Sequence, residues 1–230
     1  MKIHGMALLR NEASKNRWLK QFIVQMKLIC DRVVILDDAS TDETANICEN
    51  MGLEVYRSRQ SLWSVDELIQ RKELWQRTIE KAEFNDWILC LDADELFCSE
   101  HINYIKYLFK SLEWFDVNGI AFRLFDMWNE SQYRCDKWWS GHLRHWPMAI
   151  KVQKTEYEWL DKKLHCGRFP KNAAMKCIPT QVPIKHMGWS KPEFRQAKYD
   201  LYMKTDPQGK EGILEQYESI LDDNANLINF

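Results

Sequence analysis

An α/β fold, with a mixed, mainly parallel sheet flanked by helices, is predicted for this chain by three observations. Apolar runs at residues 3–9, 32–37 and 87–91 alternate with helix-period segments, the pattern of strands joined by crossover helices. Two of these runs end in acids: VVILDD at 33–38 and WILCLDAD at 87–94. The runs are continuous rather than alternating, as expected of strands buried on both faces. Ligands of open parallel sheets bind beyond the carboxyl ends of the strands, and Asp37, Asp38, Asp92 and Asp94 all fall there.

The elements follow in order. A strand at 3–9 leads to a helix over about 14–29, then a strand at 32–37. Ser40 and Glu43 have capping-box spacing, predicting a helix to Asn50 that Gly52 stops. A short strand is expected at 53–57. Ser64 and Glu67 form a second capping box, opening a helix to about Ala82, before the strand at 87–91. The second half predicts a helix at 99–113, strands at 119–125, 145–153 and 181–186, and no regular structure at 154–180. Ser190 and Glu193 form a third capping box before a helix to Lys204, and a last helix covers about 210–221. With every strand in one sheet the chain reads as a single domain over 1–230. Residues up to about 97 form its nucleotide-binding half, and about 98–230 an acceptor-binding half with the C-terminal helices.

Composition narrows the function. Of 230 residues 45% are hydrophobic, enough for a sizeable core, and the formal net charge of −2 is well mixed. A nucleic-acid protein would carry a basic face instead. The seven cysteines are odd in number, scattered and without a Cys-x-x-Cys pair, so neither a disulfide framework nor a zinc ribbon is expected. A reducing, cytoplasmic setting is the simplest. The first ten residues lack a signal-peptide pattern, and no apolar run approaches the ~20 residues that span a bilayer. Peripheral contact with a membrane stays open. Several of the eleven tryptophans fall between 114 and 159. Most are expected in the core, with one or two offering a sugar a ring to stack on.

The acids carry the chemistry. Two carboxylates one residue apart at the end of a buried strand need partners or a metal, and their oxygens suit Mg²⁺ or Mn²⁺ with a diphosphate completing the shell. The plainer alternative is a pair of helix-start acids. For Asp37 and Asp38 the alternatives are turn chemistry and a carboxylate accepting from a base or ribose. Leu8, Leu9, Arg10 and Glu12, after the first strand, are either a solvated loop or a backbone cradle for a base with Arg10 near phosphate. His142, His145, and His165 with Cys166 match no zinc spacing. Gly-x-Gly-x-x-Gly and P-loop motifs are absent, which argues against a dinucleotide oxidoreductase and a P-loop NTPase.

Taken together, these segments resemble family 2 glycosyltransferases of the GT-A (Rossmann-like) fold, in their compact bacterial and phage form. ILDDASTDET at 35–44 is similar to their DD-x-S-x-D-x-T segment, DWILCLDADE at 86–95 to their DxD segment, and LRNEA at 9–13 to their VKNE-like start. HMGWS at 186–190, with Lys198, Tyr199, Tyr202, Asp206 and Pro207, is similar to their C-terminal part. The resemblance implies sugar transfer, usually with inversion, from a nucleotide-diphosphate donor (a UDP-sugar foremost) to a glycan, lipid or protein hydroxyl, assisted by Mn²⁺ or Mg²⁺. By position it implies that Asp38 reads the base with Leu8, Leu9, Arg10, Glu12 and Asp37 around it. Asp92 faces the ribose or the metal, Asp94 and His186 bind the metal, and Arg71 lies near the nucleotide. An inverting enzyme also needs a general base, for which Asp136 and then Glu130 are the candidates; both also read as surface acids of a polar hairpin. A sugar-phosphate nucleotidyltransferase is the alternative enzyme, though Leu8 to Ala13 holds no glycine-rich loop. A non-catalytic sugar-nucleotide binding module is the third reading.

Overall fold

The computed structural model describes residues 1–14, 18–63, 65–164, 166–210 and 212–230. Ser64, in the second expected capping box, and His165 lie outside the described residues, as does the start of the first expected helix at 15–17.

An eight-stranded sheet runs in the order β3-β2-β1-β4-β8-β6-β9-β5. Its members are β1 (Ile3–Leu9), β2 (Arg32–Asp37), β3 (Glu54–Arg57), β4 (Trp87–Cys90), β5 (Glu95–Phe97), β6 (Gly119–Asp126), β8 (His145–Lys151) and β9 (Cys177–His186). Four of its seven pairings are parallel, β1–β2, β1–β4, β2–β3 and β6–β9; β4–β8, β6–β8 and β5–β9 are antiparallel. Helices α1 (Leu19–Ile29) and α4 (Ile102–Ser111) pack on one face and α3 (Glu67–Ile79) on the other. The remaining helices are α2 (Thr44–Asn50), α5 (Pro192–Thr205) and α6 (Leu214–Glu218).

Alternate residues of each central strand enter opposite cores. Ile3, Ala7 and Leu9 of β1, with Trp87 and Leu89 of β4, pack toward α1 and α4. Met6 and Leu8, with Ile88 and Cys90, pack toward α3. Burial on both faces is what makes these strands read as unbroken apolar runs. All seven cysteines are free, and no described helix is long and apolar enough to cross a membrane.

Several boundaries differ from expectation, each for a local reason. Helix α2 starts at Thr44 rather than after Ser40. Asp42 Oδ1 accepts from the Thr44 N–H and hydroxyl, while the Ser40 hydroxyl accepts from the Asn11 N–H at 2.9 Å. Ser40 therefore braces a loop instead of capping a helix. Helix α3 starts at Glu67, where Asp66 caps the Ile69 N–H. In α5, Pro192 takes the first-turn position and Ser190 does not cap, its hydroxyl donating to the Met187 carbonyl. Strand β9 begins at Cys177 despite Pro179 and Pro183. Only residues 184–186 of β9 pair with β5, so both prolines lie where the strand has a free edge and a missing N–H costs little. Strands β7 (Gln132–Arg134) and β10 (Leu227–Asn229) were not expected; they pair with each other as a separate two-stranded sheet. The short β5, also unexpected, occupies the sheet edge directly after Asp94.

Candidate active site

The sheet topology brings the acids together. β1, β2 and β4 are parallel, so Leu9, Asp37 and the Leu91–Asp92 segment emerge at one edge. β6 and β9 are parallel too, and their last residues, Asp126 and His186, are register partners. β5 enters antiparallel to β9, with Glu95 opposite His186. Asp94, one residue before β5, is thereby set beside the end of β9; its carbonyl accepts from the Met187 N–H at 2.7 Å.

The Asp94 Oδ2 atom lies 3.7 Å from His186 Nε2. On the other side of the ring, His186 Nδ1 is 2.7 Å from Asp126 Oδ1. Lys198 Nζ, reaching down from α5, is 4.0 Å from Asp94 Oδ2 and 4.0 Å from the centroid of the Trp189 ring. Gly188 sits under this group. A Cβ there would collide with Asp94 Oδ2 and Lys198 Nζ and approach His186 Nε2 to 3.2 Å. Burial works against charge on His186, but Asp94 and the Asp126 hydrogen bond outweigh it and raise the imidazole pKa.

This donor set fits a divalent cation. Imidazole nitrogen and carboxylate oxygen are suitable ligands for Mn²⁺ and its neighbours. A histidine whose other nitrogen is held by a carboxylate is the usual second-sphere arrangement of metal-bound imidazole. Asp94 and His186 would hold the ion and Asp126 would orient the ring. Asp126 was not among the residues expected here.

Asp92 lies apart from this pair. Its carboxylate is drawn to Arg168 Nη2 at 3.0 Å and to Arg71 Nη2 at 3.7 Å. Arg168 also binds Glu95 in bidentate fashion, at 2.6 and 2.5 Å, and Arg71 binds Glu67 at 2.9 Å. Glu95 Oε2 in turn accepts from the Asp92 N–H. Asp92, Asp94 and His186 do not form a compact three-ligand cluster; among the described residues Cys98, Glu100 and His101, at the start of α4, are the group that does. Arg168 and Glu95 were missed. Arg168 falls in the irregular 154–180 stretch, where no periodicity signals a role, and Glu95 read as a helix-start acid.

The expected nucleotide residues surround the same edge. Asp38, fully buried, accepts from Ser61 Oγ, the Leu62 and Trp63 N–H groups, Gln70 Nε2 and Arg10 Nη1. With that many donors it locks the 61–63 loop and Arg10 against the end of β2. Asp37 Oδ2 accepts from the Ser40 N–H at 3.0 Å, while its Oδ1 is buried without a hydrogen bond among the described residues. Leu8 and Leu9 direct their side chains into the two cores, leaving only backbone for a ligand. Glu12 is buried beside them. Asn11 and Ala39 hold left-handed backbone, at φ 51° and 50°, in adjoining loops joined by the Asn11 Oδ1 contact to the Thr41 N–H. Such strain in non-glycine residues costs of order 1 kcal/mol each and gathers at functional sites.

The two base candidates sit elsewhere. Asp136 binds Arg134 Nε at 2.5 Å and accepts from the Trp138 N–H. Arg134, buried over the Trp128 and Trp139 rings, also reaches the Ser219 carbonyl. Glu130 is exposed in the turn before β7. Of the tryptophans, Trp128, Trp139 and Trp189 pack in one aromatic cluster, while Trp114 is 87% exposed.

A mixed sheet of this order, with carboxylates gathered at the carboxyl edge of its parallel half, defines the GT-A class of architecture. Comparison with known proteins is consistent. No family model matches the sequence. The chain is similar to uncharacterized glycosyltransferases of Rickettsia bellii (34% identical over 110 residues, 48% of this chain and 33% of that protein) and Rickettsia felis (33% over 116 residues, 48% and 35%). It therefore spans about a third of the length of the curated relatives it matches. In structure it is similar to S. aureus TarS (TM-score 0.52, 13% identity, 96% of this chain and 42% of that one). It is also similar to glucosyl-3-phosphoglycerate synthase from Mycobacterium tuberculosis in complex with Mn²⁺, UDP and glucosyl-3-phosphoglycerate (TM-score 0.53, 13% identity, 89% and 80%). The fold is the GT-A fold, and the chain's sequence relatives are named glycosyltransferases.

Proposed function

We propose that this chain is a metal-dependent, inverting family 2 glycosyltransferase that moves a sugar from a UDP-sugar to a hydroxyl of a glycan, lipid or protein. The observation that carries this reading is the Asp94–His186 pair, backed by Asp126 and closed over Gly188. The Mn²⁺ and UDP in the mycobacterial synthase, and the UDP-GlcNAc in a complex of TarS residues 1–349 (TM-score 0.51), support the choice of ligands. The expected cytoplasmic setting belongs to the same proposal.

In this reading Leu8, Leu9, Arg10, Glu12, Asp37 and Asp38 shape the base pocket, and Arg71 and Asp92 flank the ribose and diphosphate. Asp94 and His186 hold Mn²⁺ or Mg²⁺, which when bound stabilises the charge developing on the departing diphosphate. Asp126 keeps the His186 lone pair on Nε2 turned toward Asp94. Lys198 adds a cation beside Asp94, where negative charge grows as the glycosidic bond breaks. The acceptor hydroxyl gives its proton to a general base, for which Asp136 and Glu130 are the candidates; Arg134 and the Trp138 N–H already occupy the first, and the second is exposed.

The test is a thermal-shift panel of nucleoside diphosphates with and without Mn²⁺, followed by turnover of the matching nucleotide sugar. A ligand that binds only the native state raises the melting temperature. A Mn²⁺-dependent rise with UDP that Asp94→Ala abolishes, together with loss of sugar transfer, is the expected outcome. Unchanged turnover in Asp94→Ala would sink the metal assignment.

A further inference from the structure

An open cleft of about 580 Å³ lies between α3 and the 155–161 segment. One wall is a helical stripe of α3 carrying Lys72, Trp75 and Gln76; the other carries Glu156, Trp159 and Asp161. None of these residues belongs to the proposed nucleotide or metal set.

Trp75 closes the cleft from the core side. Only 3% of the residue is exposed, and its ring meets Tyr157 edge-on at 4.9 Å. Its indole Nε1 is buried and has no hydrogen-bond partner among the described residues. That nitrogen is closed off from the cleft, whose accessible polar groups are those of Lys72, Gln76, Glu156 and Asp161.

The lining chemistry narrows the occupant. Aromatic rings suit the C–H faces of a pyranose. The Gln76 amide, the Lys72 ammonium and the two carboxylates offer donors and acceptors to its hydroxyls. Two acids against one lysine disfavour a polyanion such as a nucleotide or phosphate.

The same elements tie the cleft to the catalytic edge. In helix α3, Arg71 pairs with Glu67 and reaches Asp92, directly before Lys72 and one turn before Trp75. The segment that forms the far wall continues to Arg168, which holds Asp92 and Glu95. The Lys163 carbonyl fastens that segment to the start of α3 by accepting from the Glu67 N–H at 2.7 Å.

We propose that this cleft is a saccharide-binding subsite, separate from the donor site, that holds uncharged pyranose units of the acceptor. Its acceptor role rests on the glycosyltransferase reading; saccharide binding does not.

A printed glycan array, with solution titration of the best-bound soluble oligosaccharide, tests it. Binding should weaken at least tenfold in Trp159→Ala and in the exposed variant Lys72→Ala. Asp94→Ala should bind the oligosaccharide as the parent does. Melting curves of the three variants exclude loss of fold. No glycan bound by the parent chain, binding that survives Trp159→Ala, or binding lost in Asp94→Ala would each overturn the subsite. A parallel UDP and Mn²⁺ melt separates the two readings. Trp159-dependent glycan binding without a UDP shift keeps the subsite and removes the transferase. A UDP shift without glycan binding does the reverse.

Discussion

His186 Nε2 and Asp94 Oδ2 approach to 3.7 Å at the end of the antiparallel β5–β9 pair, and the His186 ring is fixed from behind by Asp126 Oδ1 at 2.7 Å. The hydrogen bond to Asp126 decides which nitrogen faces Asp94. Asp126→Asn keeps the shape of that side chain but removes its charge. Partners of this kind typically change metal affinity by about 10–100-fold. Asp126→Asn is expected to weaken Mn²⁺ binding on that scale, measured by calorimetric titration, with little change in melting temperature. Unaltered Mn²⁺ affinity would remove Asp126 from the site.

Gly188 is required by contact rather than by backbone conformation. A methyl group at this position would strike Asp94 Oδ2 and Lys198 Nζ. Both atoms are the far ends of flexible side chains and can move aside, but they are the proposed ligand and its neighbouring cation. Gly188→Ala should therefore leave the melting temperature nearly unchanged and abolish the Mn²⁺-dependent UDP shift. Retention of that shift would mean that the three side chains need not converge.

Arg168 neutralises two carboxylates at once, Asp92 and the nearly fully buried Glu95. Removing one partner of a buried ion pair costs about 3–5 kcal/mol, because the other charge is left uncompensated. Arg168→Ala should therefore be among the most destabilising single changes in the chain, read by urea unfolding at neutral pH. Adding Glu95→Gln should recover part of the loss, since the two residues are directly coupled. Additive effects of the two changes would contradict the network.

Glu54 gives the chain an acid-sensitive contact far from the site. Arg32 grips its carboxylate with bonds of 2.8 and 3.0 Å, and Tyr56 and Lys81 add three more. Chiefly through the Arg32 bonds, its pKa falls to about 2 from an ordinary 4.5. A carboxyl lowered in the folded state stabilises fully above its unfolded pKa and loses that contribution as pH falls toward the folded one. The group is partly solvated, so about 1 kcal/mol is the appropriate scale, or about 2–4 °C for a chain of this size. Glu54→Gln should melt lower by that margin at pH 7, and the gap should close between pH 4.5 and 2. A gap constant across that range would show that Glu54 is not ionised in a special environment.

The parallel half of the sheet was legible because its strands are buried on both faces and carry their acids at the ends. The acid spacing at the strand end pointed to Asp94 and the resemblance to His186, but only β5 explains their meeting. That strand is three residues long, too short for any period to register, and it turns the chain at Asp94 back along β9. Asp126 stood in plain sight at the end of a predicted strand; what hid its role was that β6 pairs in parallel with β9, a long-range fact. Arg168 comes from a segment with no period at all. Ser40 misled because capping spacing and loop bracing use the same residue types, and the competing acceptor, Asp42, lies only two positions away.

Asp136 distinguishes two accounts of the second half. Its carboxylate is 2.5 Å from Arg134 Nε and accepts from the Trp138 N–H. The same guanidinium lies over the Trp128 and Trp139 rings and binds the Ser219 carbonyl near α6. The Asp136 oxygens are already engaged by the guanidinium and a backbone N–H, which leaves them poorly placed to meet an acceptor hydroxyl. These contacts instead join the β7 hairpin to the C-terminal segment. Asp136→Asn keeps the shape and one acceptor while removing the charge opposite Arg134. A structural role predicts a lower melting temperature and a kcat within a few-fold of the parent at temperatures where the variant is folded. A role as general base predicts the reverse, an unchanged melting temperature and a kcat lowered by about 10²–10⁴-fold. Measuring both quantities on the same preparation separates the two, and the Arg134 contact favours the first.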